Sequence, residues 1–399
     1  MSESMKYRLA YNTWSKIEIA EVAKVLKSGN FTMGKKVYEF EKKFAKYFGS
    51  KFALMTNSGS SANLLMMSVL KYFPKFLKKK KIKNPNIIAP VIGWSTSYFP
   101  ISQCGFKIKF VDININSLNI STNKVEKAVD KNTVGILAIN LLGNPCNYNR
   151  LKEIADKKKL ILLEDNCESL GSKYKNKYTG NMGLMGTHSL YFAHHIQTME
   201  GGMILTGNKD IYDILKSLRA HGWTRGLSKR NKLYRKKNDN FEDNFKFITP
   251  GYCFRPIEMQ AAAGLVQLKR FNSFMKTRLK NAEIFQNLFG NKEWCQIQSI
   301  EKNSKPSWYG FNLILKGKLK NKREKIVNKL IKNNIEVRPT MTGNFINNPV
   351  MKYLDYSVSE NLKNAEYIDK NGFFFGNYPK NLHKELNFVY KLIVEEIIN

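Results

Sequence analysis

A short run of small hydroxyl residues around one glycine is the first segment whose composition could do chemistry. Residues 57–63 read NSGSSAN and lie between a strand-like segment, residues 52–56, and an apolar helical segment that begins at Ser60. The first amides of a helix have no partner inside the helix and attract anions, so this turn suits a phosphate group. An ordinary N-cap with a glycine turn would use the same residues, and the run alone leaves both interpretations open.

Acidic residues follow directly after an apolar strand-like segment. Residues 160–165 read LILLED, and Asp165 is followed by Asn166, Cys167 and Glu168. In α/β sheets, ligands gather at the carboxyl ends of the strands, so a carboxylate here is well placed for function. One task for it would be to pair with a pyridinium nitrogen and keep that ring protonated and electron-withdrawing. A solvated acidic loop or a helix N-cap is the alternative.

Two adjacent histidines, His194 and His195, precede a Glu-Gly-Gly turn within residues 189–202. Imidazole titrates near neutral pH, so a histidine beside an anionic cofactor can carry protons to and from it. A structural pair of histidines is the alternative. A further segment, Pro250 to Glu258, contains one glycine and two prolines and is more simply interpreted as a turn followed by the start of a helix.

The elements that must position these residues alternate between helix and strand. Helical periodicity covers residues 16–28, 37–48, 60–72, 123–130 and 149–158. Strand-like apolar runs cover residues 87–92, 106–113, 134–142 and 160–165. Continuous apolar strands are typical of a largely parallel sheet with helices on both faces, so we expect an α/β fold. A long helix, residues 256–289, leads into a smaller region, and we place a large domain with an N-terminal arm in residues 1–275 and a small C-terminal α/β domain in residues 276–399.

Composition limits the class of protein. Of the 399 residues, 43% are hydrophobic and 12% aromatic, enough for a large core and too apolar for a disordered chain. The net charge, 66 − 32 = +34, favours anionic partners. The charges are spread along the whole chain, however, and the one dense run, Lys78 to Lys81, falls in an expected loop. We therefore expect no nucleic-acid partner.

The cysteines and the apolar runs argue against several further classes. The five cysteines include no CxxC pair and no histidine at metal-ligand spacing, so we expect no metal site, iron–sulfur cluster or disulfide framework. The longest apolar run, Val134 to Leu142, is about half of what a membrane-spanning helix needs. The first residues show no apolar signal segment. We expect a cytoplasmic protein of a reducing compartment without a membrane partner.

Taken together, these segments resemble one family in order and spacing. Residues 31–51 (FTMGKKVYEFEKKFAKYFGSK), 251–268 (GYCFRPIEMQAAAGLVQL) and 335–345 (IEVRPTMTGNF) resemble the DegT/DnrJ/EryC1/StrS sugar aminotransferases, which are pyridoxal-phosphate (PLP) enzymes of fold type I. The resemblance implies that Gly59, Ser60 and Ser189 hold the cofactor phosphate, that Trp94 stacks on the pyridine ring and that Asp165 pairs with the ring nitrogen. It also implies that Glu168 belongs to the cofactor site, and that two chains form a homodimer.

One residue departs from the family pattern in a way that changes the expected reaction. Aminotransferases of the family have a lysine five residues after the phosphate-binding serine, where it holds the cofactor covalently, and the residue at that place here is His194. The chain is therefore similar to the lysine-less branch that removes the 3-hydroxyl of GDP-4-keto-6-deoxy-D-mannose. This similarity implies PLP held non-covalently and working as its amine form (PMP), glutamate as amino donor and co-substrate, and His194 as catalytic acid and base. His195 lies one place beyond the lysine position.

Several alternatives and one further departure remain at the level of sequence. A related branch uses an iron–sulfur cluster and a reductase on CDP-sugars, but residues 203–252 contain no cysteine, so we expect no reductase. An aminotransferase or other lyase on a different nucleotide-sugar, and a non-catalytic scaffold that lost its lysine, are the other possibilities. Members of the family usually have asparagine after the Gly-Tyr pair, where it reaches the partner's cofactor phosphate, whereas Cys253 stands there in this chain.

Overall fold

The computed structural model describes residues 7–78, 82–228, 231–235 and 240–398. Residues 226–247 are polar and charged, and their sequence fits either diphosphate binding or a solvated loop. Parts of this segment, and most of the Lys78–Lys81 run, lie outside the described residues.

The six helices that the sequence predicted are present, with ends within about two residues of those expected, and the described residues form further helices beyond these six. Together the helices are α1 (Lys16–Ser28), α2 (Lys35–Phe48), α3 (Gly59–Tyr72), α4 (Ser95–Gln103), α5 (Thr122–Ala128), α6 (Tyr148–Lys157), α7 (Lys209–Arg219), α8 (Asn240–Asp243), α9 (Glu258–Phe289), α10 (Arg323–Lys332), α11 (Lys363–Asn371) and α12 (His383–Ile398).

The strands of the described residues form one large and two small sheets. They are β1 (Phe52–Thr56), β2 (Asn86–Pro90), β3 (Lys107–Val111), β4 (Thr133–Ile139), β5 (Ile161–Asp165), β6 (Lys173–Tyr174), β7 (Lys177–Tyr178), β8 (Met185–Ser189), β9 (Gly202–Thr206), β10 (Cys295–Ile297), β11 (Ser304–Lys305), β12 (Gly310–Leu315), β13 (Val337–Pro339), β14 (Tyr356–Val358) and β15 (Gly372–Gly376).

The large sheet has eight strands in the order β1-β9-β8-β5-β4-β2-β3-β14. Its pairs are parallel except for the two that β9 makes with β1 and β8. The central strands β2, β4, β5 and β8 are buried along their whole length, as expected for a sheet covered by helices on both faces. The mostly parallel mixed sheet predicted from the sequence is therefore confirmed.

Local sequence signals explain where the first helices begin and end. Helix α1 begins at a capping box, in which the Ser15 hydroxyl accepts the Ile17 amide while Glu18 accepts the Ser15 amide, and it ends at Gly29 with φ 68°. Helix α2 buries the apolar face formed by Val37, Phe40, Phe44 and Phe48 against the large sheet and α9.

The long helix α9 packs against two hydrophobic cores. Its first half packs in the cluster of α2, β1 and β9 through Ala261, Leu265 and Phe271. Its second half packs through Phe285 and Phe289 in the cluster formed by the four-stranded sheet β10-β12-β15-β13. The domain boundary that the sequence suggested, residue 275, lies inside this continuous helix and remains a prediction.

Strand β14 is a feature that the sequence did not indicate. It comes from the C-terminal part of the chain but pairs in parallel with β3 at the edge of the large sheet. Helix α11 follows it, and the Asp112 carboxylate accepts the Asn364 and Ala365 amides of its first turn at 2.9 Å. The C-terminal segment is thus joined to the large sheet as well as to its own. In the described part of the chain no helix is long and apolar enough to cross a membrane.

Candidate active site

A cavity of about 650 Å³ opens at the carboxyl ends of the central parallel strands. All seven site residues predicted from the sequence line it, although they come from distant parts of the chain: Gly59, Ser60, Trp94, Asp165, Glu168, Ser189 and His194. Parallel strands of a doubly covered sheet end at one edge, and this common edge brings the residues together.

The start of α3 and the end of β8 form a narrow cradle on one side of the cavity. Ser58 is the N-cap of α3, and its hydroxyl accepts the Ser61 amide at 3.1 Å. A Cβ atom on Gly59 would lie 2.9 Å from the Ser189 Cβ and 3.2 Å from the Cys167 Sγ. Only glycine therefore allows this approach, which leaves the first amides of the helix beside the Ser189 hydroxyl. Ser58 caps the helix, whereas the possible anion site lies at Gly59 and Ser189, so the two interpretations of this turn do not exclude each other.

Asp165 ends β5 and is 5% exposed. Its Oδ2 accepts hydrogen bonds from the Ser97 hydroxyl at 2.7 Å and the Asn63 amide group at 2.8 Å. Its Oδ1 accepts the Cys167 backbone amide at 3.1 Å. The carboxylate thus has a defined orientation at the floor of the cavity, and Oδ1, which accepts a single hydrogen bond, has a lone pair to spare for a further donor.

Glu168 lies one turn beyond Asp165 and faces the same cavity. Its Oε2 accepts the Leu142 amide at 2.9 Å. Burial, together with the nearby negative charge of Asp165, raises the pKa of Glu168 to about 8, although the hydrogen bond from Leu142 acts in the opposite direction. Glu168 therefore largely retains its proton near neutral pH.

His194 lies in the loop between β8 and β9 and contacts two aromatic rings of the cavity wall. Its ring centroid lies 5.0 Å from that of Tyr309 and 6.2 Å from that of Tyr191. Burial and, to a smaller extent, the positive charge of Arg278 lower the pKa of His194 to about 3, against a smaller opposing effect of the Cys167 carbonyl. The imidazole is therefore neutral near pH 7 and able to accept a proton.

The other histidines of this region lie away from the cavity lining. The Nε2 atom of His195 contacts the Ser307 carbonyl at 3.2 Å, and the residue is 2% exposed. His188, in β8, is fully buried, with its ring centroid 5.8 Å from that of Phe44 and 6.4 Å from that of Phe48. Of the two adjacent histidines, only His194 faces the cavity, whereas His195 has the structural environment that the alternative interpretation expected.

The histidine loop is tied to the N-terminal arm. The Oε1 atom of Gln197 accepts the Thr13 amide at 2.9 Å and the Thr13 hydroxyl at 2.8 Å. The Trp14 indole donates to the Gln197 carbonyl at 2.9 Å. The arm also lines the cavity, and its Tyr7 forms a bridge with Ile335, two residues before β13. The loop that carries His194 is therefore held from outside the large sheet.

Trp94 and Cys253 occupy different surroundings. Trp94 precedes α4, lines the cavity and is 48% exposed. Cys253 is exposed, and its backbone forms a bridge with Ala220. It is not among the residues that line the cavity of its own chain.

Sequence reasoning missed part of the cavity wall. Tyr309, Arg338 and Arg8 line it, and they come from the small sheet and the N-terminal arm. Arg338 lies within residues 335–345, which resemble the family, and that placement was the one available signal. For Tyr309 and Arg8, only the folded chain shows the proximity.

The residues present suit a phosphorylated pyridine cofactor. The cradle that a Cβ on Gly59 would fill provides amide and hydroxyl donors for a phosphate, and the oriented Asp165 carboxylate provides an acceptor for a ring N–H. Among the residues that the structure describes, no group of three His, Cys, Asp or Glu side chains is arranged to hold a metal ion.

Comparison with known proteins extends over the whole chain. Residues 12–393 match the sequence model of the DegT/DnrJ/EryC1/StrS aminotransferase family. A GDP-4-keto-6-deoxy-D-mannose 3-dehydratase from Escherichia coli O55:H7 is 46% identical over 391 residues, which cover 98% of this chain and 100% of the relative. A protein of the same description from Yersinia pseudotuberculosis is 44% identical over 392 residues, 98% of each chain.

A solved structure gives the same result for the fold. The crystal structure of a GDP-4-keto-6-deoxymannose-3-dehydratase with a trapped PLP-glutamate geminal diamine has a TM-score of 0.93 to this chain at 46% identity. It covers 97% of this chain and 100% of its own. The fold type I architecture predicted from the sequence is confirmed.

Proposed function

Because the chain belongs to the DegT/DnrJ/EryC1/StrS aminotransferase family, we propose that it is a PLP/PMP-dependent 3-dehydratase of a nucleotide-linked 4-keto-6-deoxy sugar. The sugar nucleotide is GDP-4-keto-6-deoxy-D-mannose, the compound named in its relatives, and glutamate is the amino donor. The observation that carries the proposal is the neutral imidazole of His194, which lines the cavity where the aminotransferases of the family have lysine.

We assign the cofactor-binding residues from the geometry of the cavity. Gly59, Ser60 and Ser189 hold the phosphate, since Gly59 and Ser189 approach closely at the start of α3 and all three residues line the cavity. Asp165 accepts the ring N–H, and Trp94, which lines the same cavity, covers the ring. When bound, the cofactor supplies the amine that condenses with the sugar ketone and an electron sink that allows the neighbouring C–O bond to break.

His194 moves the protons of the reaction. In its neutral form it removes a proton from the amine-bearing carbon of the cofactor, and as imidazolium it returns a proton to the departing 3-hydroxyl oxygen. An imidazole does not form a stable covalent bond with the cofactor aldehyde, so the cofactor remains non-covalently bound. The two contacts with Tyr309 and Tyr191 orient the ring for both steps.

The overall reaction balances without an external reductant. The 4-keto sugar loses its 3-oxygen, and glutamate becomes 2-oxoglutarate and ammonia, so the two electrons that remove the hydroxyl come from the amino donor. We therefore propose that no reductase takes part and that glutamate and sugar are consumed one for one.

We also propose that the protein works as a homodimer in the cytoplasm. Trp94, Tyr191 and Phe192 are 48%, 45% and 39% exposed at the cavity mouth, and exposed aromatic groups of this kind support contact with a second copy. The five cysteines are all unpaired thiols, which supports a reducing compartment.

Product analysis tests the proposed reaction. Chelator-treated protein is supplied under anaerobic conditions with PLP, glutamate and one 4-keto-6-deoxy sugar nucleotide from a panel of GDP, CDP, dTDP and UDP compounds. We expect deoxysugar, 2-oxoglutarate and ammonia in equal amounts, with the GDP compound preferred. An aminosugar without ammonia would identify a transaminase, and a requirement for a reductase would identify the iron–sulfur branch. No turnover with any of the four would favour a non-catalytic scaffold.

A further inference from the structure

Side chains from two helices donate hydrogen bonds to the same oxygen of the Asp165 carboxylate. The Asn63 side chain, from the second turn of α3, donates to Oδ2 at 2.8 Å, and Ser97, from the first turn of α4, donates to the same oxygen at 2.7 Å. Asn63 is 3% exposed and Ser97 is 3% exposed, so water does not compete freely for either contact.

The orientation of the Asn63 amide is determined by a third element. The Thr187 hydroxyl, in β8, donates to the Asn63 Oδ1 at 2.6 Å. Because this contact occupies the amide oxygen, the amide nitrogen must face Asp165 and the Thr96 carbonyl, which lies 3.1 Å away. Thr187 lies beside Asp165 in the parallel pairing of β5 and β8. A relay of two hydrogen bonds, from Thr187 to Asn63 and from Asn63 to Asp165, therefore connects these neighbouring strands through α3.

This relay matters because a carboxylate has no strong rotational preference of its own. The terminal torsion of an aspartate is broad, so its neighbours decide which oxygen points where. With Oδ2 tied to Asn63 and Ser97, Oδ1 is left with the Cys167 amide and remains available to a donor in the cavity.

We propose that Asn63 is a positioning residue that holds the Asp165 carboxylate in the rotation in which it meets the cofactor ring nitrogen. The inference rests on the proposed function, in which Asp165 is the partner of that nitrogen. Asn63 touches no reacting atom, and it acts through Asp165.

The test observes the ring nitrogen itself. The protein is reconstituted with PLP labelled with ¹⁵N in the ring, and the nitrogen chemical shift, which separates protonated from neutral rings, is followed across pH. Asn63→Leu is a near-isosteric change that removes the hydrogen bonds. In this variant we expect the pH at which the ring loses its proton to fall by about one unit. This shift is a tenfold change in the protonation equilibrium, the effect expected for one hydrogen bond to a charged group. Dehydration slows by about tenfold, while KM for glutamate stays within about threefold.

Two further variants keep the test decisive. Thr187→Val removes the hydrogen bond that orients the Asn63 amide and leaves the Asp165 side chain unchanged. We expect a smaller fall in the pH of ring deprotonation than in Asn63→Leu. This variant provides the test if Asn63→Leu does not fold. Ser68→Ala removes another buried polar group from α3, one whose hydroxyl bonds the Leu64 carbonyl and contacts Tyr252, and the ring titration should stay as in the wild type.

The outcomes separate this inference from the proposed function. Wild-type ring titration in both Asn63→Leu and Thr187→Val, with a changed titration in Asp165→Asn, overturns the role of Asn63 and leaves that of Asp165 intact. An unchanged titration in Asp165→Asn means that Asp165 is not the ring partner at all. A shift in Ser68→Ala as large as that in Asn63→Leu would assign the effect to disturbed packing of α3 and would also overturn the inference.

Discussion

At the scale of single residues, the side chain at position 194 decides how the cofactor is kept. A lysine amine could bond covalently to the PLP aldehyde, whereas the imidazole of His194 leaves the aldehyde free and brings a base whose pKa burial has lowered to about 3. Because this base is neutral at any pH above that value, proton removal does not depend on a titration near neutrality.

His194→Lys should therefore change both chemistry and attachment. We expect a covalent link between the lysine and PLP that borohydride traps, together with the loss of 3-deoxygenation and the appearance of a transaminase product. Mass spectrometry of the reduced protein and product analysis are the measurements. Full dehydratase turnover without a trappable link would show that position 194 is not the acid and base, and His195→Lys is the matched control, since His195 lies outside the cavity lining.

Asp165→Asn should slow both half-reactions. An amide cannot keep the pyridine ring protonated, so the ring loses its electron-withdrawing character, and we expect each rate to fall by at least about 100-fold. Single-turnover kinetics with glutamate and with the sugar measure the two steps separately. Rates within a few-fold of the wild type would remove Asp165 from the role of ring partner.

The seven site residues could be named from the sequence because the resemblance to the family implies a role for each of them, whereas the residues alone pointed to the turn at 57–63, the acidic segment at 164–168 and the histidine pair. Asn63 and Tyr309 could not be assigned a role in this way. Asn63 belongs to the NSGSSAN turn, but its contact with Asp165 spans 102 residues of sequence. Tyr309 lies in an unremarkable strand-like segment, and its 5.0 Å ring contact with His194 exists only after the small sheet has packed. Tertiary contacts of this length leave no local pattern.

At the scale of elements, the close approach of α3 to β8 decides whether a phosphate fits. Gly59→Ala would place a methyl group 2.9 Å from the Ser189 Cβ, so the helix start and the strand end must move apart. We expect PLP affinity to fall at least about tenfold, because the displaced amides no longer converge on one anion.

Fluorescence titration with PLP measures this effect, and Gly207→Ala is its matched control. Gly207 has no atom within 4 Å of an added Cβ, so the same substitution there should leave affinity unchanged. Equal affinity in Gly59→Ala and wild type would place the phosphate elsewhere.

Elements with strong periodicity were predictable, and short ones were not. Helix α1 begins and ends where the sequence indicates, because a capping box and a glycine with positive φ mark both ends. Strand β14 has three residues, too few for a period of two, and its place at the edge of the large sheet depends on β3 and α11.

At the scale of the whole molecule, buried histidines link stability to pH. Burial lowers the pKa of His188 to about 3 and that of His194 to about 3, and it lowers the pKa of His195 well below the ordinary value. The unfolded chain binds these protons below about pH 6.5, where the native state does not, so stability falls as pH decreases from that value. Glu168, with a pKa raised to about 8, acts in the opposite sense, and its contribution is lost as pH rises from about 4.5 towards 8.

His188→Gln isolates one of these contributions. Between about pH 6 and pH 4 the unfolding free energy of the variant should depend less steeply on pH than that of the wild type, by up to about 1.4 kcal/mol per pH unit. Urea unfolding at several pH values measures the slope. His383→Gln, at an exposed position, is the control and should keep the wild-type slope. Identical slopes for His188→Gln and wild type would mean that His188 binds its proton equally in both states.

The 32-residue helix that packs on both cores also fixes the distance and the rotation between the residues that it contributes to each core. One inserted residue near its middle would turn everything beyond it by about 100° and advance it by about 1.5 Å, so Phe285 and Phe289 would leave their own core. Gains and losses of residues during evolution should therefore accumulate in the surface loops and be purged from the centre of this helix. Chimeras that exchange the C-terminal parts of two relatives should fold only when the splice keeps the residue count across it.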